Sequence, residues 1–218
     1  MGVSLVPSIN PCSFCVEVEL ARQGQGLHFS ETGDLIALPT LGCFVRGYSL
    51  IVPKRHYTSF ACQTPKELTE TEAFLEHIRS VSNEIFGPTI LAEHGTGAPE
   101  EPTAACCDHA HFHVIPTTSF LDVLSTYQAT GGPGLGLGSI QELSRFEGHS
   151  YLSLSDSPGK WTIWVGASRF PRQCIRRAVS KAEGDETKFD WRLHMHQHNM
   201  VETSVLFKYA LRNSGGAR

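Results

Sequence analysis

The residues best equipped for chemistry are His109, His111 and His113, set in Asp108-His109-Ala110-His111-Phe112-His113-Val114-Ile115-Pro116. Three imidazoles at alternate positions line one face of an extended chain, and Ala110, Phe112, Val114 and Ile115 pack behind them. A strand gives three core-adjacent positions to histidine when something must be held there: a metal, a phosphoryl group, or both. A second string, His194-Met195-His196-Gln197-His198, repeats the spacing. Its gaps hold Gln197, with Asn199 following, so it reads as a solvated turn beside a helix start or as a lip over the site. Cys12-Ser13-Phe14-Cys15 is a knuckle-like pair suited to metal or redox work, or to remaining as free thiols.

The elements that must position these residues can be read outward from them. Tyr48 to Pro53 is a buried strand that Pro53 ends, with Lys54, Arg55 and His56 just beyond it. Pro65 to Phe86 is a helix: Thr64 caps it, Pro65 suits its first position, Glu67 completes a capping box, and Gly87-Pro88 stops it. Thr89 to Glu93 is a strand leading to His94. Leu27–Phe29 and Asp34–Leu38 form a hairpin, as do Tyr151–Leu154 and Trp161–Val165. Helices are expected over 119–130, 171–182 and 200–212. The tract from Gly131 to Gly138 reads as a linker or mobile lid.

Composition excludes some functions. The chain has 218 residues, 40% hydrophobic and 18% charged, with a formal net charge of -4. This is ordinary for a globular protein and carries no basic footprint for a large nucleic acid. Seven cysteines, two adjacent, do not read as a secreted disulfide framework. With no signal peptide or membrane span in view, a cytoplasmic protein with reduced thiols is expected.

His109-Ala110-His111-Phe112-His113-Val114-Ile115 resembles the signature of the histidine triad superfamily, in which histidines alternate with apolar residues. Gly47 to His56 resembles that family's strand ending in Pro-Lys-x-His, and Cys12-x-x-Cys15 resembles a pair carried near the N-terminus by many bacterial members. The likeness covers roughly residues 10 to 120, and Arg172-Gln173 through Arg177 and Asp190-Trp191 resemble the C-terminal part of one subgroup. A distant similarity extends to galactose-1-phosphate uridylyltransferases.

The resemblance implies an α+β fold: an antiparallel meander sheet with a packed helix over residues 1–120, and a C-terminal α/β extension over 121–218 with 130–138 as linker or lid. It implies a homodimer that binds a nucleotide or nucleotide conjugate. His111 would be the nucleophile, carrying a nucleotidyl-histidine intermediate, with His113 beside the phosphoryl oxygens. Hydrolysis would release a nucleoside monophosphate. The alternatives are a nucleotidyltransferase with the same intermediate, and a non-catalytic zinc-stabilised nucleotide-binding module; a metallohydrolase using Asp108 as a carboxylate ligand is a further rival. Cys12, Cys15, His56 and His109 would hold a structural zinc. Tyr48 stands where the family often has another histidine. Lys54, Arg55, Glu93 and His94 are candidates for substrate contacts, and Arg172, Gln173 and Arg176 for a phosphate or substrate tail.

Overall fold

The computed structural model describes residues 12–97 and 109–214. Cys106, Cys107 and Asp108, and the greater part of the loop expected between His94 and Ala105, lie outside them. The fold is α+β. Eight strands form one antiparallel sheet: β1 (Ser30–Glu31), β2 (Leu35–Pro39), β3 (Ser49–Pro53), β4 (Thr89–Gly95), β5 (Phe112–Pro116), β6 (Leu135–Leu137), β7 (Tyr151–Ser157) and β8 (Lys160–Val165). Their spatial order is β1-β2-β3-β5-β4-β7-β8-β6. β5 lies between β3 and β4, with His113 opposite Leu50 on one side and Ala92 on the other. β7 pairs directly with β4, so the sheet runs on without a break into the C-terminal half.

Among the described residues five α-helices cover the sheet: α1 (Ser13–Arg22), α2 (Pro65–Phe86), α3 (Phe120–Gly131), α4 (Cys174–Ala182) and α5 (Gln197–Ser214). Each strand alternates its side chains between two cores. Phe112, Val114, Ile51 and Leu91 pack with Leu75, Ile78 and Val81 of α2 and with Phe207 of α5. Ile115, Leu50, Val52, Ile90 and Ala92 pack with Val123 of α3 and with Ile175 and Val179 of α4. Both faces are therefore buried, and His113 and Tyr48 belong to the face covered by α3 and α4. Among the described residues no helix is long and apolar enough to cross a membrane.

The capped helix spans Pro65–Phe86 as expected. Thr64 accepts from the Glu67 amide, and Glu67 accepts from the Thr64 amide at 2.7 Å. Other expectations need correction. The Cys-x-x-Cys pair is not a free-standing knuckle: Cys12 precedes α1 and Cys15 lies in its first turn. The strand of the first histidine string starts only at Phe112. Ala110 N–H donates to the Tyr57 carbonyl at 2.7 Å instead of joining a ladder, which holds His109 and His111 just ahead of the sheet. The outer strand of the first hairpin is Ser30–Glu31 instead of Leu27–Phe29, although the Phe29 amide still donates to the Ala37 carbonyl of β2 at 2.9 Å. The glycine tract is the end of α3 followed by the edge strand β6, which pairs with β8. Gly134 lets the backbone pass closely there, since a Cβ would meet Thr162 at 2.5 Å.

Candidate active site and metal centre

Pro53 ends β3 and turns its carbonyl toward the first histidine string. His109 Nε2–H donates to it at 2.8 Å. That bond leaves the lone pair on Nδ1, which lies 3.5 Å from Cys12 Sγ and 3.6 Å from Cys15 Sγ. His56 Nδ1 is 3.3 Å from Cys15 Sγ. The four donor atoms all lie within 4.8 Å of one another. Tetrahedral zinc, with bonds of about 2.3 Å to sulfur and about 2.0 Å to nitrogen, places its ligands about 3.5 Å apart. The spacing and the thiol–imidazole chemistry therefore fit zinc, and the Pro53 carbonyl supplies the outer hydrogen bond that fixes a ligating histidine.

The next histidine faces different surroundings. His111 Nδ1–H donates to the His109 carbonyl at 2.9 Å, which puts its lone pair on Nε2. Phe14, lying between the two cysteines, packs its ring 5.0 Å from the His111 ring. Burial lowers the His111 pKa, opposed by that carbonyl and by the charge of Glu93. His113 is packed 4.8 Å from His111, ring to ring. The Tyr48 hydroxyl, the stronger acid, donates to His113 Nδ1 at 2.7 Å, so Nε2 carries the proton. Burial first, and then His111, Arg176 and His94, hold His113 neutral well below the usual imidazole range.

A cavity of about 310 Å³ opens beside these rings. His94, His111 and His113 line it from the sheet, Gln173, Cys174 and Arg176 from the start of α4, and Phe14, Leu20, Leu50, Trp191 and Met200 supply apolar walls. Arg176 is buried: its guanidinium donates to the carbonyls of Gly42 and Phe189 and lies 5.3 Å from the Tyr48 ring. Gln173 adopts a left-handed backbone, φ 58°.

The structure thus brings together Cys12, Cys15, His56 and His109 in one cluster, and His94, His111, His113, Gln173 and Arg176 around one cavity; Tyr48, expected to contact substrate, is buried behind His113 and does not line it. It does not bring in Lys54, Glu93 or Arg172. Lys54 pairs with Glu31 at 2.7 Å and caps the Thr32 carbonyl at the hairpin. Arg55 stacks over Tyr57. Glu93 is one residue from His94 and so points to the opposite face, where it accepts from the Phe60 amide at 2.8 Å and the Tyr151 hydroxyl at 2.6 Å. Burial there pushes its pKa up to about 7. Arg172 is exposed in the turn before α4, not on a shared helical face with Arg176. Phe14, Cys174, Trp191 and Met200 were not singled out from the sequence as cavity residues. Phe14 carried a signal by its place inside the cysteine pair, and Cys174 and Trp191 by lying in the C-terminal segments that resemble one subgroup; Met200 carried none.

A thiol–imidazole cluster thus abuts a string of imidazoles that enters the middle of an antiparallel sheet. No protein-family model matches the chain. Uncharacterized HIT-like proteins from two strains of Mycobacterium tuberculosis match at 29% identity over 108 residues, 49% of this chain and 71% of theirs. A zinc-bound histidine triad family protein from Mycobacterium smegmatis superimposes with a TM-score of 0.40 at 21% identity, over 48% of this chain and 73% of that one. A hypothetical histidine triad nucleotide-binding protein from Sulfolobus tokodaii gives 0.40 at 20% identity, over 49% and 68%. Over about half its length the chain is similar to HIT-like proteins.

Proposed function

We propose that the protein hydrolyses nucleotide conjugates at the α-phosphate through a nucleotidyl intermediate on His111. The observation that carries this reading is the tautomer of His111: Nδ1–H is held by the His109 carbonyl, so the nucleophilic lone pair sits on Nε2 of a residue lining the cavity. The Nε2 lone pair forms a bond to the α-phosphorus, and the bond to the leaving group breaks with its electron pair departing on that group. Water then attacks phosphorus, the N–P bond returns its pair to Nε2, and a proton from water passes to solvent. His113 Nε2–H, set by Tyr48, donates to a phosphoryl oxygen throughout. The apolar walls around Phe14, Leu50 and Trp191 suit a nucleobase.

Cys12, Cys15, His56 and His109 would hold zinc. The ion would supply a structural cross-link, tying α1 to the backbone that presents His111. We further propose residues 1–120 as the catalytic portion and 121–218 as an extension that completes the cavity wall through α4 and Trp191. Transfer to an acceptor other than water would use the same intermediate. The test is to mix the protein with nucleoside diphosphate conjugates and nucleoside phosphoramidates and examine intact mass after acid-free quenching. The expected result is a nucleotidyl adduct in the wild type and none in His111→Ala. Full turnover by His111→Ala would refute the mechanism.

A further inference from the structure

We propose that the C-terminal extension takes the place of a second subunit: it occupies the sheet edge that a partner chain would extend and closes the cavity from within, so that one chain holds one complete site and works as a monomer. This departs from the homodimer that the resemblance implies. The completeness of the site rests on the nucleotidyl reading above; the state of assembly does not.

The strand order decides which edge is at stake. The strands before α3 run β1-β2-β3-β5-β4, so the far side of β4 has no neighbour among them. β4 is seven residues long and buried throughout. A long strand with one side open presents a row of unpaired amides and carbonyls, a ready template for another chain. β7 fills that side, antiparallel, from Leu91 opposite Ser155 to Gly95 opposite Tyr151. The seam is tight. A Cβ on Gly95 would meet the Tyr151 ring at 2.4 Å, and the Tyr151 hydroxyl donates to Glu93 at 2.6 Å while accepting from the Ala61 amide at 3.3 Å. Among the described residues the edges left over are β1, two residues long, and β6, three residues long. An ordinary strand has about five or six residues, so neither edge offers a second copy a ladder of useful length.

The long helix is engaged by the extension as well. Arg79 of α2 is 2% exposed and donates to Ser155 Oγ at 3.2 Å, and Glu72 accepts from the Ser139 hydroxyl at 2.8 Å. Leu143, Phe146 and Phe207 enter the core that holds Leu75 and Ile78, and Phe207 stacks on Phe29 at 4.1 Å. The outward side of α5 does expose Val201, Val205 and Tyr209, but Lys208 and Arg212 share that side by helical spacing. Cations break the stripe and leave little continuous apolar area for a stable dimer. The cavity needs nothing from outside either. His94, His111 and His113 come from the strands before α3, and Ile175, Trp191 and Met200 come from the same chain's extension.

The test uses the full chain. Sedimentation equilibrium from about 1 to about 100 µM should give a single species of 24.0 kDa whose mass does not rise with concentration. Co-expression of two variants then reads where the site is built. His111→Ala keeps Trp191 but loses the proposed nucleophile, and Trp191→Ala keeps His111 but loses an apolar wall. If each site is made within one chain, the co-expressed mixture shows only the KM of Trp191→Ala, about tenfold above the wild type. If sites are shared between chains, His111 of one variant meets Trp191 of the other and a component with the wild-type KM returns. A dimeric mass, or the return of that component, would overturn the proposal. A 24.0 kDa species that turns over no nucleotide conjugate would keep the single-chain assembly and sink the nucleotidyl reading instead.

Discussion

The chain carries the same histidine spacing twice, and the two copies meet opposite fates. His109, His111 and His113 run into β5, and each ring is assigned a direction by a backbone carbonyl or a phenol. His194, His196 and His198 precede and begin α5; His198 is exposed, and His196 takes a left-handed backbone with φ 47°. None of the second three lines the cavity, whereas their neighbours Trp191 and Met200 do. Spacing alone therefore makes no site. What makes one is a partner for each ring nitrogen, and those partners come from the apolar strand that buries the string.

The sharpest way to break this contrast is to truncate one ring from the first string. His111→Ala should lower turnover by at least about 1,000-fold with little loss of folded protein, because it removes the proposed nucleophile. Steady-state rates on a diphosphate conjugate check this, and a loss below tenfold would erase the distinction between the strings. Next in size is the thiol–imidazole cluster, which among the described residues has no counterpart at the second string. Cys12→Ser should reduce bound zinc from about one per chain to near zero and lower Tm by about 10 °C. Elemental analysis and calorimetry measure both, and unchanged zinc content would remove Cys12 from the ligand set.

How much of this was legible depended on how local each cause is. The helix over Pro65–Phe86 is specified by adjacent residues, the Thr64–Glu67 box and Gly87, and was read to the residue. The first string was legible because its gaps are apolar. The helix after Cys12 was hidden: it has no side-chain cap, and only Val18 and Ala21 are fully buried along it. Direction was hidden too. Glu93 and His94 are neighbours in sequence but face opposite cores, and nothing local says which faces the substrate. Arg176 meets Gly42 across 134 positions, a contact that exists only once α4 lies on the sheet.

Glu93 offers a third test, since it supports the first string electrostatically from behind. Burial raises its pKa from 4.5 to about 7. The unfolded chain loses that proton first, so between these values the native state holds one proton more. Its contribution is fully present below 4.5 and falls away as pH rises to about 7, by about 3 kcal/mol in all. Glu93→Gln keeps an acceptor for the Phe60 amide and cannot ionise. Urea unfolding at acidic and mildly alkaline pH should show the wild type losing about 3 kcal/mol relative to the variant. Parallel pH dependences for the two proteins would mean that Glu93 is not held protonated. A smaller effect belongs to the second string's neighbour: Trp191→Ala should raise KM about tenfold by removing an apolar wall, with kcat falling less. A kcat loss as large as the KM change would move Trp191 from binding into the chemistry.

The smallest expected effect is the most pointed. His196 has the ring spacing of His111 and a buried Nε2 with no partner, so by composition and burial it qualifies as a functional histidine. Its surroundings argue otherwise. The His194 carbonyl packs against Gly42, where any Cβ would approach within 2.7 Å, and His196 turns left-handed to start α5 from that fixed point. The residue is there to make a turn, which asparagine makes as readily. His196→Asn should leave kcat and KM within about twofold and stability within about 0.5 kcal/mol. A loss of tenfold or more in either constant would mean that the second string reaches the substrate, and the contrast between the two strings would then be one of degree.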